Sequence, residues 1–337
     1  MSKATIYDVA GAARVSLATV SRAINNPEKV KPETRERVLR VIEELGYKPN
    51  AFAKGLASRK STTVAVLVPD MSRASIAEMM NGIADIARVY KYAILLYILD
   101  NEESTEEDVL KEIIAAQVDG ILYLNDEITE SQYNFLQMIQ NEHQIPIVLS
   151  NTLYPENDVI PSVSIDYDAA GYEITKTLID EGRQNIFMVS TVRKYMVNDQ
   201  KERGYLRAMQ EAQLTPKIMR TSGRISVNTE HFNEYFKNHN VDGVVAVRDS
   251  IAVSFINVAR ANDVKIPQDI SVCGFQNTKY ASLSRPNLTC VDLPIYDIGA
   301  VSMRVLTKMM NQETVEDRTI MLDHDIIYRN STKHKKD

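Results

Sequence analysis

The first regular pattern of apolar residues in the chain predicts a short helix. Its members recur at the i, i+3, i+4 and i+7 spacing of one helix face: Ile6, Val9, Ala10 and Ala13. Thr5 and Asp8 have the spacing of a capping box, in which each side chain accepts a hydrogen bond from a backbone N–H group at the start of a helix. We therefore expect a helix that begins immediately after Thr5.

A second helix is predicted after a link of only three or four residues. Ser16 is suited to cap it, and its apolar face would hold Val20, Ala23 and Ile24. The opposite face carries small apolar, hydroxyl and amide groups and one arginine: Leu17, Ala18, Ser21, Arg22 and Asn25. Two short helices joined in this way are typical of a helix-turn-helix, although a plain bundle of small helices fits the same pattern.

A third helix is predicted to begin at Pro32, because proline suits the first turn of a helix. Its apolar residues repeat the spacing of the first helix: Val38, Val41, Ile42 and Leu45. Gly46 follows directly, and glycine is favoured just after the last helical turn. The first 46 residues therefore predict a small all-helical domain.

The rest of the chain alternates between short apolar runs and helical patterns, which predicts an α/β fold with doubly wound parallel sheets. The runs of the first pass are residues 64–69, 93–99, 120–124, 145–150 and 163–165. The alternation begins again with residues 185–190, 243–247 and 270–275. Two passes predict two lobes, the first at residues 62–160 and the second at residues 161–290.

The net charge of −6 would argue against a nucleic-acid partner, but the charge is unevenly distributed. Residues 1–60 contain 12 Lys+Arg and 6 Asp+Glu, whereas the remainder contains 27 and 39. A basic N-terminal segment on an acidic remainder favours DNA binding by that segment, although a basic surface can also be plain solvated surface.

Several classes of protein find no support in the sequence. The two cysteines, Cys273 and Cys290, lack the spacing of a disulfide framework or a metal site. No apolar run is long enough for a membrane helix and the N-terminus lacks a signal-peptide core, so we expect a cytoplasmic protein. A GxGxxG motif, a P-loop, a nucleophile elbow and a His/Cys cluster are also missing, which argues against an enzyme or a bound cofactor.

Four segments resemble the LacI/GalR family of bacterial repressors: IYDVA, VSLATVSRAIN, VKPETRERVLRVIEELGYKPNAFAKGLAS and PQDISVCGFQNT. The resemblance covers essentially the whole chain, and LPIYDIGAVSMRVLTKMMNQETV looks like the branch of the family that serves carbon catabolite control. It implies a helix-turn-helix domain at residues 1–48, a hinge helix and linker at 49–61, and a two-lobed domain similar to periplasmic binding proteins. Residues 291–337 would cross back to the first lobe near 290–320 and end in a polar tail without fixed structure from Asn330.

The resemblance implies a homodimeric transcription regulator that binds pseudo-palindromic DNA operators, with its second helix in the major groove. Arg22 can donate two hydrogen bonds to a guanine, and Leu17 and Ala18 can contact thymine methyl groups. The residues suited to phosphate contacts are Ser16, Thr19, Ser21 and Asn25, and Thr5 and Tyr7 complete the predicted set within the domain.

The segment from Asn50 to residue 58 is too short to form a helix in isolation. The resemblance implies that it folds only when it is paired with its dimer mate on DNA. Leu56 would then wedge into the minor groove at the centre of the operator; alternatively, it is a linker residue that packs on the rest of the protein. The neighbouring candidate contacts are Tyr47, Asn50, Ala53 and Lys54.

Paired lobes of this kind bind small ligands between them, at the carboxyl ends of their strands. The candidate effector residues are Ser72, Arg73, Lys201, Asp249 and Gln276. Gln276 stands where the family motif GFDN has aspartate, and Lys201 stands where relatives that bind small effectors carry arginine. The alternative function is a repressor of one sugar-utilisation operon, controlled by a small sugar or sugar phosphate.

The resemblance also implies a protein corepressor, the serine-phosphorylated phosphocarrier protein HPr. The docking helix would present Tyr296, Asp297, Ala300, Val301, Arg304 and Lys308. Arg304 and Lys308 lie one turn apart, which suits a phosphoserine dianion, although a solvated charged face has the same pattern. Asp325 stands where family members carry an arginine, and its carboxylate would repel a phosphoprotein.

Overall fold

A computed structural model describes residues 4–47, 61–69, 71, 73–99, 106–124, 128–152, 159–192, 195–223, 225–238 and 241–333, without the side chains of residues 106–107, 225–226 and 235–238. The chain divides into two compact units, Met1–Thr63 and Val64–Asp337, which we call the head and the body. None of the described helices is both long enough and apolar enough to cross a membrane.

The described part of the head consists of short helices around one small apolar core. The helices are α1 (Ile6–Ala13), α2 (Leu17–Asn25) and α3 (Pro32–Glu44), with a 3-10 turn at Pro27–Lys29. Each α-helix contributes buried side chains: Val9, Ala10, Ala13, Val20, Ala23, Val38 and Val41. The predicted apolar faces are confirmed except at Leu45, which is exposed at the end of α3. Ile6, Ile24 and Ile42 are partly buried and pack against the same core.

Both side-chain caps predicted in the head, at Thr5 and Ser16, are present. The Thr5 backbone N–H donates to the Asp8 carboxylate at 2.7 Å, and the Asp8 N–H donates to the Thr5 hydroxyl at 3.4 Å. The backbone N–H and hydroxyl of Thr5 lower the pKa of Asp8. At α2 the Ser16 hydroxyl accepts a hydrogen bond from the Thr19 N–H at 3.2 Å. Gly46 has a φ of +59°, the left-handed conformation that ends α3.

The described strands of the body are β1 (Thr63–Val68), β2 (Ala93–Ile98), β3 (Gly120–Leu124), β4 (Ile147–Ser150), β5 (Ser162–Ile165), β6 (Ile186–Thr191), β7 (Lys217–Thr221), β8 (Gly243–Ala246), β9 (Ser271–Phe275), β10 (Thr289–Asp292), β11 (Thr319–Leu322) and β12 (Asp325–Ile327). The strand order is β11-β5-β4-β3-β1-β2 in the first sheet and β12-β10-β9-β8-β6-β7 in the second. The described ladder of the first sheet from β1 to β11 is parallel. In the second sheet, β12 pairs antiparallel with β10 beside a parallel ladder.

The described helices of the body are α4 (Ala74–Tyr90), α5 (Glu106–Ala115), α6 (Glu130–His143), α7 (Tyr167–Asp180), α8 (Met196–Glu211), α9 (Ile225–Asn238), α10 (Asp249–Ala261), α11 (Lys279–Leu283) and α12 (Ile295–Met310). Alternate residues of β1 enter different apolar cores: Val64 and Val66 belong to one, Ala65 and Leu67 to the other. A strand buried on both faces is typical of a parallel sheet covered by helices, which confirms the predicted α/β class.

The chain crosses between the two sheets three times, after β5, after β10 and between β11 and β12. The strand β5 lies beyond the lobe boundary predicted at residue 160, yet it pairs with β4 and β11 of the first sheet. The first crossing therefore follows residue 165. Alternation of strands and helices shows that a strand exists but not which sheet it joins, because that depends on long-range pairing.

The described part of the polar C-terminal tail, residues 330–333, has a fixed structure, contrary to the expectation from its composition. Ser331 and Thr332 are buried, and the Ser331 hydroxyl donates to the carbonyl of Val272 at 2.6 Å while accepting from the Thr289 N–H at 2.8 Å. The Thr332 and Thr289 hydroxyls are 2.8 Å apart. These hydroxyls are buried because they satisfy main-chain groups of the second sheet, a role that hydropathy does not reveal.

The helices α4 and α12 cross at two glycines. A Cβ atom at Gly82 would overlap the carbonyl oxygen of Tyr296, and one at Gly299 would overlap the carbonyl oxygen of Met79. The two backbones are therefore in direct contact, which fixes the position of α12 on the first lobe. The sequence pattern did not identify this crossing.

We expect Gly82→Ala to destabilise the body by about 1–3 kcal/mol, because the added methyl group must push α12 away from α4. Asn81→Ala is the matched control, since Asn81 is exposed on the same helix and alanine is the better helix former. Urea unfolding followed by circular dichroism would measure both. An unchanged free energy of unfolding for Gly82→Ala would show that the crossing is looser than described.

Candidate functional sites

The outward face of α2 carries the side chains predicted to read bases. Leu17, Ala18 and Arg22 are exposed, whereas Val20 and Ala23 are buried on the opposite side. A guanidinium flanked by small apolar groups on a capped helix has the chemistry of major-groove recognition. This arrangement can present one long hydrogen-bond donor and two methyl-bearing side chains to the same groove.

The polar residues of α2 are less exposed to solvent than their positions along the helix suggested. Thr19, Ser21 and Asn25 are half-buried, and the Asn25 amide donates to the Ser21 hydroxyl at 3.4 Å. The Asn25 Oδ1 atom is buried and has no hydrogen-bond partner among the described residues. The exposed Ser16 hydroxyl lies 2.9 Å from that of Thr19. Ser21 and Asn25 therefore lie at the border of the face rather than on it.

The other predicted contacts in the head differ in exposure. Tyr7 is exposed, and the Thr5 hydroxyl donates to the Asp8 carboxylate at 2.7 Å. Tyr47 is half-buried and packs against the head core. The remaining predicted contacts lie outside the described residues: Asn50, Ala53, Lys54 and Leu56.

Lys201, one of the predicted effector contacts, is enclosed rather than exposed to solvent. Its side chain is 2% exposed, and its ammonium donates to the carbonyl of Val247 at 3.1 Å. The same ammonium lies 4.9 Å from the ring centroid of Tyr167 and 4.8 Å from that of Phe275. A cation held between two aromatic faces is stabilised inside the protein. The aromatic partners are distant in sequence, so spacing could not indicate them.

Asp249 is also enclosed, at 1% exposure, where it starts α10 next to the carboxyl end of β8. Its Oδ2 accepts hydrogen bonds from the Thr278 N–H at 2.6 Å and from the Thr278 hydroxyl at 2.8 Å. Its Oδ1 has no partner among the described residues. Burial raises the pKa of Asp249 to about 7, against the opposing effects of the Thr278 hydrogen bonds and the charges of Arg329 and Lys201.

Arg73 takes part in a contact between the lobes. Its Nη2 donates to the Tyr195 hydroxyl at 3.3 Å, and its Cζ lies 5.3 Å from the centroid of that ring. The Cζ of Arg248, at the start of α10, lies 5.1 Å from the same ring. Tyr195 therefore joins the segment after β1 to the second lobe. Ser72, the neighbouring candidate, lies outside the described residues.

Gln276 directly follows β9 and has a φ of +98°, and Asn277 has a φ of +53°. Positive φ in side-chain-bearing residues is uncommon and concentrates at functional sites. Asn277 is held in place, since its amide donates to Asp292 at 2.9 Å and its oxygen accepts from Arg329 at 2.5 Å. Arg329 and Thr278 thus organise this end of the sheet, and sequence reasoning missed both.

The predicted docking helix α12 presents a charged ridge. Asp297, Arg304 and Lys308 are exposed, and the half-buried Val301 lies between them. Ala300 was assigned to the same surface, but it is 4% exposed and lies against Gly82 of α4. Ala300 faces inward because the glycine crossing brings α4 onto that side of α12.

The ridge continues onto α4. The Tyr296 hydroxyl donates to the Asp85 carboxylate at 3.0 Å, and this hydrogen bond raises the pKa of Tyr296. Arg88 forms an ion pair with Asp85 at 2.9 Å. Asp85 and Arg88 are therefore part of the surface, and only the helix crossing reveals it. We call Asp85, Arg88, Tyr296, Asp297, Arg304 and Lys308 the docking ridge.

Asp325 lies beside the start of α12, in a cavity of about 280 Å³. Carboxylate side chains from several elements line the cavity: Glu78, Asp292, Asp297, Asp323 and Asp325. Burial and the charge of Asp292 raise the pKa of Glu78. The negative potential expected from Asp325 alone is therefore reinforced by its neighbours, and Asp297 is common to this cavity and the docking ridge.

The enclosed carboxyl of Asp249 makes stability depend on pH. Its folded pKa of about 7 lies above the ordinary value of 3.8, so the folded protein holds this proton more tightly than the unfolded chain. The free energy of unfolding should therefore fall by on the order of 3 kcal/mol as pH rises from about 4 to 8. Asp249→Asn should remove this part of the pH dependence.

Urea unfolding of both proteins across this pH range would measure the difference in slope. The exposed Asp317→Asn is the control, and it should keep the wild-type slope. Identical slopes for the wild-type protein and Asp249→Asn would mean that Asp249 ionises as an ordinary carboxyl group.

Known protein families match a segment in the head and a segment in the body. Residues 5–50 match the model of bacterial regulatory proteins of the lacI family, and residues 175–332 match the model of a periplasmic binding protein-like domain. The catabolite control protein A of Priestia megaterium is 41% identical over 334 residues, which are 98% of this chain and 99% of that protein.

Solved structures give the same result. The structure of the transcription regulator CcpA of Lactococcus lactis is 33% identical, with a TM-score of 0.72 over 80% of this chain and 99% of that one. A complex of the transcriptional regulator CelR with cellobiose is 26% identical, with a TM-score of 0.72 over 97% of this chain and 99% of that one. The chain therefore belongs to the LacI family of bacterial regulatory proteins, which are DNA-binding transcription regulators rather than enzymes, and it is related over nearly its whole length to catabolite control protein A.

Proposed function

We propose that the protein is a homodimeric repressor of carbon catabolite genes whose operator affinity is raised by serine-phosphorylated HPr. The observation that carries the DNA-binding part is the exposed face of α2, with Leu17, Ala18 and Arg22 directed away from the head core. The identity of 41% with a catabolite control protein over nearly the whole chain supports the regulatory role.

On DNA, Arg22 donates to O6 and N7 of one guanine, while Leu17 and Ala18 contact thymine methyl groups. Exposed cations of the head contact phosphates, which contribute affinity without reading sequence. Two heads related by two-fold symmetry require two half-sites of opposite orientation, so the operator is a pseudo-palindrome.

An exposed apolar surface on the first lobe supports the proposal that the protein forms a homodimer. The strand β2 lies at the edge of its sheet and leaves Leu95, Leu96 and Ile98 exposed. The preceding end of α4 adds Val89, which is 71% exposed, and Tyr90. Edge strands with clustered apolar side chains are prone to association unless another chain covers them. We assign this surface to the second copy of the chain.

The docking ridge supports the choice of corepressor. Arg304 and Lys308 are exposed one turn apart on α12, and neither forms an ion pair with a described residue. A phosphoserine carries close to two negative charges at neutral pH and binds such paired cations through charge-assisted hydrogen bonds. The exposed Tyr296 and half-buried Val301 supply apolar contact area beside them.

The second candidate is a repressor of one operon with a small carbohydrate effector. The unpartnered Oδ1 of Asp249 and the strained backbone of Gln276 favour it, since both lie at the carboxyl ends of strands of the second sheet. The relative that binds cellobiose shows that this fold can hold a sugar. The burial of Lys201 between two rings argues against it, because the predicted cationic contact is already occupied.

Arg22→Ala should cost about 1–3 kcal/mol of discrimination between operator and scrambled DNA, because the bidentate contact to one base pair is lost. Lys29→Ala, an exposed cation outside α2, should weaken binding to both DNAs equally and reduce its salt dependence. Fluorescence anisotropy at several salt concentrations measures both effects. If Arg22→Ala kept the wild-type preference for the operator, Arg22 would not be the base-reading residue.

Arg304→Ala and Lys308→Ala should each weaken binding of serine-phosphorylated HPr by about tenfold or more, because each removes one charge-assisted hydrogen bond. Asp325→Asn should strengthen it by reducing the negative potential beside the ridge. Isothermal titration calorimetry without DNA measures these affinities.

Lys279→Ala removes an exposed lysine of α11 and is the matched control. Unphosphorylated HPr controls for the phosphate. Wild-type affinity in both ridge variants would exclude α12 as the docking site while leaving the assignment of the DNA-binding face intact.

A further inference from the structure

A second cavity lies in the second lobe, between the C-terminal end of α10 and the turn that precedes β10. Its volume is about 520 Å³. The segments that form it, residues 260–268 and 285–286, lead into the amino ends of β9 and β10. The groups around Asp249 and Gln276 lie at the carboxyl ends of the same sheet, one strand length of about 15 Å away. This cavity is therefore separate from the cleft between the lobes.

Cationic groups dominate the polar lining of the cavity. Arg260, Lys265 and Arg285 line it together with a single carboxylate, that of Asp263. The side chains of Arg260 and Lys265 form no ion pair with any described residue. Arg285 donates through Nη1 to the carbonyls of Ser284 at 2.8 Å, Ser282 at 3.3 Å and Leu283 at 3.4 Å, which holds the guanidinium against its own turn. With three cations and one carboxylate, the lining has a net charge of +2.

The floor of the cavity is apolar. It is formed by Ile256 of α10, by Val264 and Ile266 of the following loop, and by Pro286 of the opposite turn. An inorganic ion would leave this surface exposed to water, whereas a molecule with an apolar part would cover it. A volume of this size is typical of pockets for small organic ligands.

The wall formed by residues 265–269 is fixed by hydrogen bonds that do not use the lining cations. The buried Arg183 donates to the carbonyl of Asp269 at 2.9 Å, to the carbonyl of Pro267 and to the Ser271 hydroxyl at 2.9 Å. Asp269 in turn accepts from the Lys265 N–H at 2.8 Å. A cavity whose walls are already ordered loses little conformational entropy when it binds a ligand.

We propose that this cavity binds a small amphipathic organic anion, in which a phosphate or carboxylate meets the three cations and an apolar or aromatic part covers the floor. The C-terminal end of α10 opposes an anion through the helix dipole, but the net charge of +2 from the lining side chains outweighs that partial charge. The ligand is a small molecule rather than a protein surface because the site is concave and lies between two fixed turns.

Calorimetric titration of the full-length protein with phenyl phosphate tests this assignment, with inorganic phosphate as the probe of charge alone. Phenyl phosphate should bind at least about fivefold more tightly than inorganic phosphate, because it also covers the apolar floor. The double variant Arg260→Gln and Lys265→Gln should lose about tenfold or more in affinity. Its circular dichroism spectrum and thermal midpoint should match those of the wild-type protein, since both side chains are exposed.

Two control variants distinguish the cavity from other cationic surfaces. Lys279→Gln removes an exposed lysine of the second lobe outside the cavity, and Lys91→Gln removes an exposed lysine of the first lobe. Both should keep wild-type affinity for phenyl phosphate. Absence of binding, equal affinity for the two anions, or full affinity in the double variant would each overturn the assignment, and none of these outcomes bears on DNA or HPr binding.

Discussion

The backbone contact between α4 and α12 is the constraint on which the surfaces of the first lobe depend. Gly82 and Gly299 allow carbonyl oxygens and glycine Cα atoms to meet where any larger residue would separate the helices. The helix α4 begins next to Arg73 at the interlobe contact and ends beside the exposed edge strand β2. One helix therefore connects the interlobe contact, the docking ridge and the proposed dimer surface, so a partner on the ridge binds directly to an element that the other two surfaces share.

The positive and negative side chains around α12 lie at different positions along the helix. Arg304 and Lys308 are exposed on α12, whereas Asp325 and its neighbours surround the cavity at the beginning of the same helix. A phosphoprotein would place its dianion near the cations and meet a negative potential at the other end of the helix. We infer that Asp325 lowers the affinity for such a partner and orients it, since like charges at one end exclude the reversed binding mode.

Much of the fold follows from local patterns, because helical spacing, capping side chains and buried apolar runs are all short-range. The helices of the head and the caps at Thr5 and Ser16 were predictable for this reason. Long-range packing was not predictable in this way. Ala300 faces inward because it packs against Gly82, which is more than two hundred residues away in the sequence. The burial of Lys201 similarly depends on Tyr167 and Phe275. Arg329 and Asp85 lie outside the motifs, and Thr278 ends the segment PQDISVCGFQNT without its contact to Asp249 being predictable from the segment.

The most direct test is the affinity of the full-length protein for a catabolite-responsive palindrome, measured with and without serine-phosphorylated HPr and, separately, with candidate sugars. The proposed function predicts that the phosphoprotein tightens operator binding by about tenfold or more, and that unphosphorylated HPr has no effect. No response to the phosphoprotein, together with release or tightening by one sugar, would contradict it and identify a repressor dedicated to a single operon.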